Sequence, residues 1–200
     1  MFNKFGRALA ASMVLVLAVP ASGQQQFSDS FTFLQAVRER DGDKVTDLVA
    51  APGSVVINTR ERGSGEGALH IVVRGRDLPW LTFLLAKGAR PDLQSGRGDT
   101  PLTLAAQIGW LDGVEQLLAR RASVDLPNGR GETALIIATQ RRDLPLVRLL
   151  LARNANPKRT DNVAGMSALD YARQDPRAAM VLKMLEAKAA PAKPAAGPAR

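Results

Sequence analysis

Apolar positions along this chain fall into pairs of short helical runs, and the pairs return at a fixed interval. In the clearest copy the runs cover residues 101–108 and 111–120, with Gly109 between them as a reversal between two helices requires. Each pair opens on a related phrase: Gly65-Glu66-Gly67-Ala68-Leu69-His70, Gly98-Asp99-Thr100-Pro101-Leu102-Thr103, Gly131-Glu132-Thr133-Ala134-Leu135-Ile136 and Gly165-Met166-Ser167-Ala168-Leu169-Asp170, at intervals of 33, 33 and 34 residues. Three pairs close on another: Leu84-Leu85-Ala86-Lys87-Gly88-Ala89, Leu117-Leu118-Ala119-Arg120-Arg121-Ala122 and Leu150-Leu151-Ala152-Arg153-Asn154-Ala155. Such a period describes a stack of equivalent units that bury their apolar faces against one another. Leu69, Leu102, Leu135 and Leu169 should form equivalent inward rungs, and Leu102 and Leu118 should be buried between units.

Local chemistry supports the helix boundaries. The Thr100 hydroxyl can cap, and Pro101 suits a first helical position. The residue after each closing Lys or Arg should be left-handed; Gly88 and Asn154 suit that backbone and Arg121 suits it poorly. Arg76-Asp77-Leu78-Pro79 returns as Arg142-Asp143-Leu144-Pro145, with Asp as cap and Pro in the first turn of each second helix.

The opening phrases resemble the ankyrin repeat, most closely at Thr100-Pro101-Leu102-Thr103-Leu104-Ala105-Ala106, where Thr103 replaces the family's His; Leu69-His70 keeps the His and loses Thr and Pro. The resemblance covers residues 65–187 as units 65–97, 98–130, 131–164 and 165–187. It implies an all-α solenoid of helix-turn-helix units with β-turn fingers and a concave face, acting in protein–protein interaction. Residues 31–64 read as a degenerate N-terminal capping repeat and loop: residues 33–37 and 43–49 form helix, turn, helix, and Ser30 is a candidate N-cap. Pro176 opens a final helix to about residue 187, whose outer face Arg177, Lys183 and Glu186 can make polar.

Composition changes the picture at the two ends. Lys4 and Arg7 precede an uncharged apolar run over residues 8–19, and Ala21-Ser22-Gly23 offers small residues for cleavage. Residues 1–23 therefore read as a secretory signal peptide, with a linker over 24–30 and no stable membrane span after cleavage; an uncleaved inner-membrane anchor is the alternative. The expected destination is the bacterial periplasm or the exterior, which the absence of cysteine suits. Residues 188–200, rich in Ala, Pro and Lys, read as a disordered tail. The net charge of +8 falls to about +6 without Lys4 and Arg7, and to about +3 for the array without the tail. That is a mixed surface and excludes a nucleic-acid footprint.

Candidate chemistry is sparse. His70 is the only histidine; with no nucleophile and orienting acid beside it, it reads as a structural tie between units, where the family resemblance also puts it. Neither metal-ligand spacing nor a cofactor motif is present. Gly63-Ser64-Gly65-Glu66-Gly67 mimics a phosphate loop but coincides with the repeat's turn.

Function should therefore lie on surfaces, which a 33-residue comb exposes. Flanking the turn glycine it selects Ser64, Arg97 and Arg130 on one side and Glu66, Asp99 and Glu132 on the other, fingertip positions that either contact a partner or neutralise one another. At the ends of the first helices it selects Arg74, then Gln107 and Ile108, then Gln140 and Arg141, then Gln174 and Asp175, a mixture suited to a contact surface. Trp110 is either an exposed anchor beside this row or packed over Leu111, while Trp80 should be interface core. Lys87, Arg120 and Arg153 stack at helix C-termini, where the macrodipole favours cations. The expected protein is a monomeric, non-catalytic binder of a protein or peptide through Arg74, Arg97, Asp99, Gln107, Ile108, Trp110, Arg130, Glu132, Gln140 and Arg141. The alternative is a binder of anionic cell-envelope polymer through its basic rows and tail.

Overall fold

The computed structural model describes residues 21–189, with side chains from residue 29. Residues 1–20 of the 1–23 signal-peptide reading and residues 190–200 of the 188–200 tail reading lie outside the described residues, while residues 188 and 189 are helical rather than part of a disordered tail. Five helix pairs follow one another: α1 (Ala21–Glu39) with α2 (Gly42–Ala50), α3 (Ala68–Arg74) with α4 (Leu78–Ala86), α5 (Pro101–Gln107) with α6 (Leu111–Ala119), α7 (Ala134–Gln140) with α8 (Leu144–Ala152), and α9 (Ala168–Gln174) with α10 (Ala179–Ala189). The first helices form one layer, α1 on α3, α3 on α5, α5 on α7 and α7 on α9. In the second layer α4 packs on α6, α6 on α8 and α8 on α10.

The rungs align. Leu69, Leu102, Leu135 and Leu169 are all buried, as are Leu84, Leu117 and Leu150. A seven-residue first helix has only two turns and cannot stand alone in water; its stability comes from burial on both neighbours. Leu118 departs from expectation: it is only half-buried and packs on the edge of the core, whereas its neighbour Leu117 is fully enclosed. Adjacent helical positions differ by 100°, so only one of the pair can face the next unit.

The caps follow the sequence. Thr100, Thr133 and Ser167 accept from the amide three residues on, at α5, α7 and α9. Asp41, Asp77 and Asp143 do the same for α2, α4 and α8. Arg121 does take the left-handed backbone, at φ 65°, where Gly88 and Asn154 stand in the neighbouring units. At the N-terminus the chain differs from expectation. Residues 24–30 are helical rather than a linker, and Ser30 lies inside α1 rather than at its N-cap. Gln24-Gln25-Gln26 are good helix formers, and neither Gly nor Pro interrupts the chain between them and Glu39. At the other end, Pro176–Ala178 form a 3₁₀ turn before α10, which runs to Ala189.

Candidate interaction groove

Between helix pairs the chain projects fingers whose turns are braced by one polar residue per unit. Ser95 Oγ accepts from the amides of Arg97 and Asp99, and Asn128 Oδ1 accepts from those of Arg130 and Glu132. Asp161 Oδ1 accepts from Val163, Ala164 and Gly165. Burial works to raise the Asp161 carboxyl, but the Tyr171 hydroxyl donating to Oδ2 at 2.6 Å and these three amides hold it below its ordinary value. This brace row, at a 33-residue spacing, escaped sequence reasoning because Ser, Asn and Asp share a geometry rather than a letter.

The fingers touch backbone to backbone. Gly96 N donates to Ser64 O and Asn162 N to Arg130 O, each at 2.9 Å. Gly98 has φ 77°, and a Cβ there would lie 2.5 Å from Gly129 N, so both its conformation and its neighbour demand glycine. The glycine run over residues 63–67 belongs to the first such finger, with Gly65 N donating to Glu61 O.

His70 ties the first unit to the second. Its ring is fully buried; Nδ1 accepts from Gly67 N at 3.2 Å, and Nε2 lies 2.9 Å from the Asp99 carbonyl, which can only accept. Nε2 therefore carries the proton. Burial lowers the imidazole's pKa, outweighing the Asp99 carbonyl and the nearby Glu66 and Asp99 carboxylates. In the next unit Thr103 Oγ1 turns inward to the Thr100 carbonyl and makes no such bridge.

The fingertips and first-helix ends meet across a groove through contacts spaced eight residues apart. Arg74 Nε donates to Glu66 at 3.1 Å, and Gln107 Nε2 donates to Asp99 Oδ1 at 2.9 Å. The third unit breaks the pattern. Glu132 is almost buried and held by Arg130 Nε at 2.9 Å and Asn128 Nδ2 at 2.9 Å, so Gln140 is left exposed without it. Arg97, Asp99, Gln107, Asn128 and Arg130 line one recess of about 350 Å³. Arg97 is exposed and forms no ion pair among the described residues, because the Asp99 carboxylate is engaged by Gln107.

The remaining candidates go elsewhere. Trp110 is not an exposed anchor: it is 6% exposed, and its ring lies where a Cβ on Gly113 would come within 2.1 Å of it. Trp80, expected as interface core, is half-buried and packs edge-on against Phe83 at 5.1 Å. Ile108 is half-buried, and its carbonyl accepts from the Arg76 guanidinium. Arg141 is exposed, with its guanidinium laid over Gly109 beside the Asp143 carboxylate. The groove thus gathers Arg74, Arg97, Asp99, Gln107 and Arg130, while Ile108, Trp110 and Arg141 belong to the helix–helix turns. Lys87, Arg120 and Arg153 stand at the C-caps of α4, α6 and α8.

Among the described residues no group of three or more His, Asp or Glu is placed to hold a metal ion, and no helix is long and apolar enough to cross a membrane. A stack of antiparallel helix pairs with glycine-turned fingers defines an α-helical repeat solenoid. A family model described as ankyrin repeats (3 copies) matches residues 69–161 and again 111–192, together more than half of the chain. The chain belongs to the ankyrin-repeat family, whose members are generally protein–protein interaction modules.

Proposed function

We propose that this chain is an exported, non-catalytic and monomeric module that binds a protein or extended peptide through the groove between its fingers and first helices. The observation that supports this most is the recess around Arg97. Its neighbours Arg74 and Arg130 are held in ion pairs within the fold, whereas Arg97 forms none among the described residues and shares the recess with Gln107 and Asn128. A planar fork beside neutral donors suits a carboxylate or backbone carbonyl of a bound chain. The only histidine is buried and spent on structure, which supports the non-catalytic reading.

Export rests on the basic start, apolar run and small residues of 1–23. Cleavage near Gly23 would remove the first residues of α1, so the site must unwind to be cut. N-terminal sequencing of the protein from a periplasmic extract tests this; an intact Met1 start in the membrane fraction would instead make it an anchor. For binding, crosslinking in envelope extracts should give a product that Arg97→Glu abolishes and Arg120→Glu does not. Binding that collapses steeply with salt and depends equally on Lys87, Arg120 and Arg153 would favour anionic polymer.

A further inference from the structure

The N-terminal cap holds a second recess that none of the groove residues reaches. It lies between α1 and the chain leading into the first finger, and its volume is about 580 Å³. Phe31 and Leu34 supply its apolar part, and Arg38, Arg60, Glu61 and Arg62 its rim. Phe31 and Leu34 stand three residues apart on α1 and so share a face. Leu34 is buried, but Phe31 is 66% exposed. A terminal unit needs a polar outer face, because no further unit covers it. A phenylalanine left open there is an apolar surface in want of a cover.

The rim states the chemistry of that cover. Glu61 is already engaged: Ser64 Oγ donates to it at 2.7 Å and the Arg38 guanidinium pairs with it. These two contacts hold its carboxyl below the ordinary range. Arg38 is spent on this carboxylate, whereas Arg60 on the same rim is exposed and forms no ion pair among the described residues. Internal pairing therefore leaves a positive surplus at Arg60, beside an apolar floor. A basic or uncharged segment would leave that surplus unmet; an acidic segment with an apolar side chain meets both features.

We propose that this recess docks an extended acidic segment of a protein partner, seating one apolar side chain on Phe31 and Leu34 with a flanking carboxylate on Arg60. The site is separate from the Arg97 groove and stands without it.

The test is fluorescence anisotropy of the full chain with a labelled peptide in which one leucine is flanked on each side by glutamates. The expected result is saturable binding that falls about tenfold or more with Arg60→Glu and with Phe31→Ser, both exposed positions whose variants keep the parent melting temperature. A peptide with lysines in place of the glutamates should not bind. Absence of binding to the parent chain, or equal binding to parent and both variants, would overturn the inference. Loss with Arg97→Glu alone would also overturn it, assigning the peptide to the central groove and leaving the proposed function standing. A dimer by sedimentation that Phe31→Ser abolishes would make the cover a second copy, again overturning it.

Discussion

The helix–helix turns of the first and third units differ from that of the second, and the difference shows two ways to join neighbouring units. Units one and three use Arg-Asp: Arg76 and Arg142 sit at φ 50° and 56°, and Asp77 and Asp143 cap the second helices. Ion pairs also join successive turns, Arg40 to Asp77 at 2.7 Å and Arg142 to Asp175 at 2.8 Å. The second unit has Gly109-Trp110 instead. With no aspartate at 110, Arg76 turns to the Ile108 carbonyl, and the indole folds onto Gly113. The polar row is thus interrupted by one apolar plug. Its residues hold one another in place: Gly113 exists because Trp110 needs the space.

The largest effects are expected at the plug. Trp110→Ala should cost about 3–5 kcal/mol in a urea melt, as for a buried aromatic. Gly113→Ala should cost about 1–3 kcal/mol by overpacking the ring. The double variant should be less destabilised than the sum, because the clash vanishes with the indole; additive costs would refute the coupling. Leu102→Ala, at a fully buried rung, should cost about 2–5 kcal/mol, and Leu118→Ala clearly less because that side chain is only partly buried at the edge of the core.

The polar turns should respond more weakly. Asp143→Ala removes a helix cap and should cost about 1 kcal/mol. Arg142→Gly relieves a left-handed backbone but loses the Asp175 pair, so its melting temperature should barely move. Arg121→Gly loses no ion pair seen among the described residues and should gain about 0.5–1 kcal/mol. If the two arginine variants behaved alike, the ion pair at Asp175 would be worth nothing.

His70 of the first unit bridges to the second, whereas Thr103 of the second bonds within its own unit. The imidazole's pKa is lowered in the fold, so below about 6.5 the unfolded chain takes up a proton that the folded chain refuses. Stability should be full above that pH and fall as pH drops through it. His70→Thr should remove this part of the slope. Asp161 and Asp170, lowered by hydrogen bonds, lose their contribution only under more acid conditions, as pH falls through and below the ordinary carboxylate range.

Much of this fold is written locally. The helix starts at Thr100, Thr133 and Ser167 and the Asp-Leu-Pro caps follow from residues within one turn of each other, and the leucine rungs from their return in each unit. Such features depend on backbone geometry and apolar area, which a short window carries. The two tryptophans show where that stops. Trp80 lies inside a helix and is half exposed, whereas Trp110 sits in a turn and is buried. A two-turn helix is too short for periodicity to say which way a turn residue points.

The groove divides in the same way. Its fingertip row was legible as a comb, but a comb does not say which acid each arginine meets. Glu132 pairs with Arg130, two residues away, while Asp99 passes over Arg97 for Gln107. Asn128 at the base of the finger decides the first of these by holding the Glu132 carboxylate, and no residue letter announces it. Sequence alone determined that the chain stacks and which leucines form its inward rungs, because apolar burial repeats with the chain. Only the tertiary structure decided which charges stay open to a partner, because a short-range hydrogen bond or ion pair goes to whichever side chain the folded finger brings within reach.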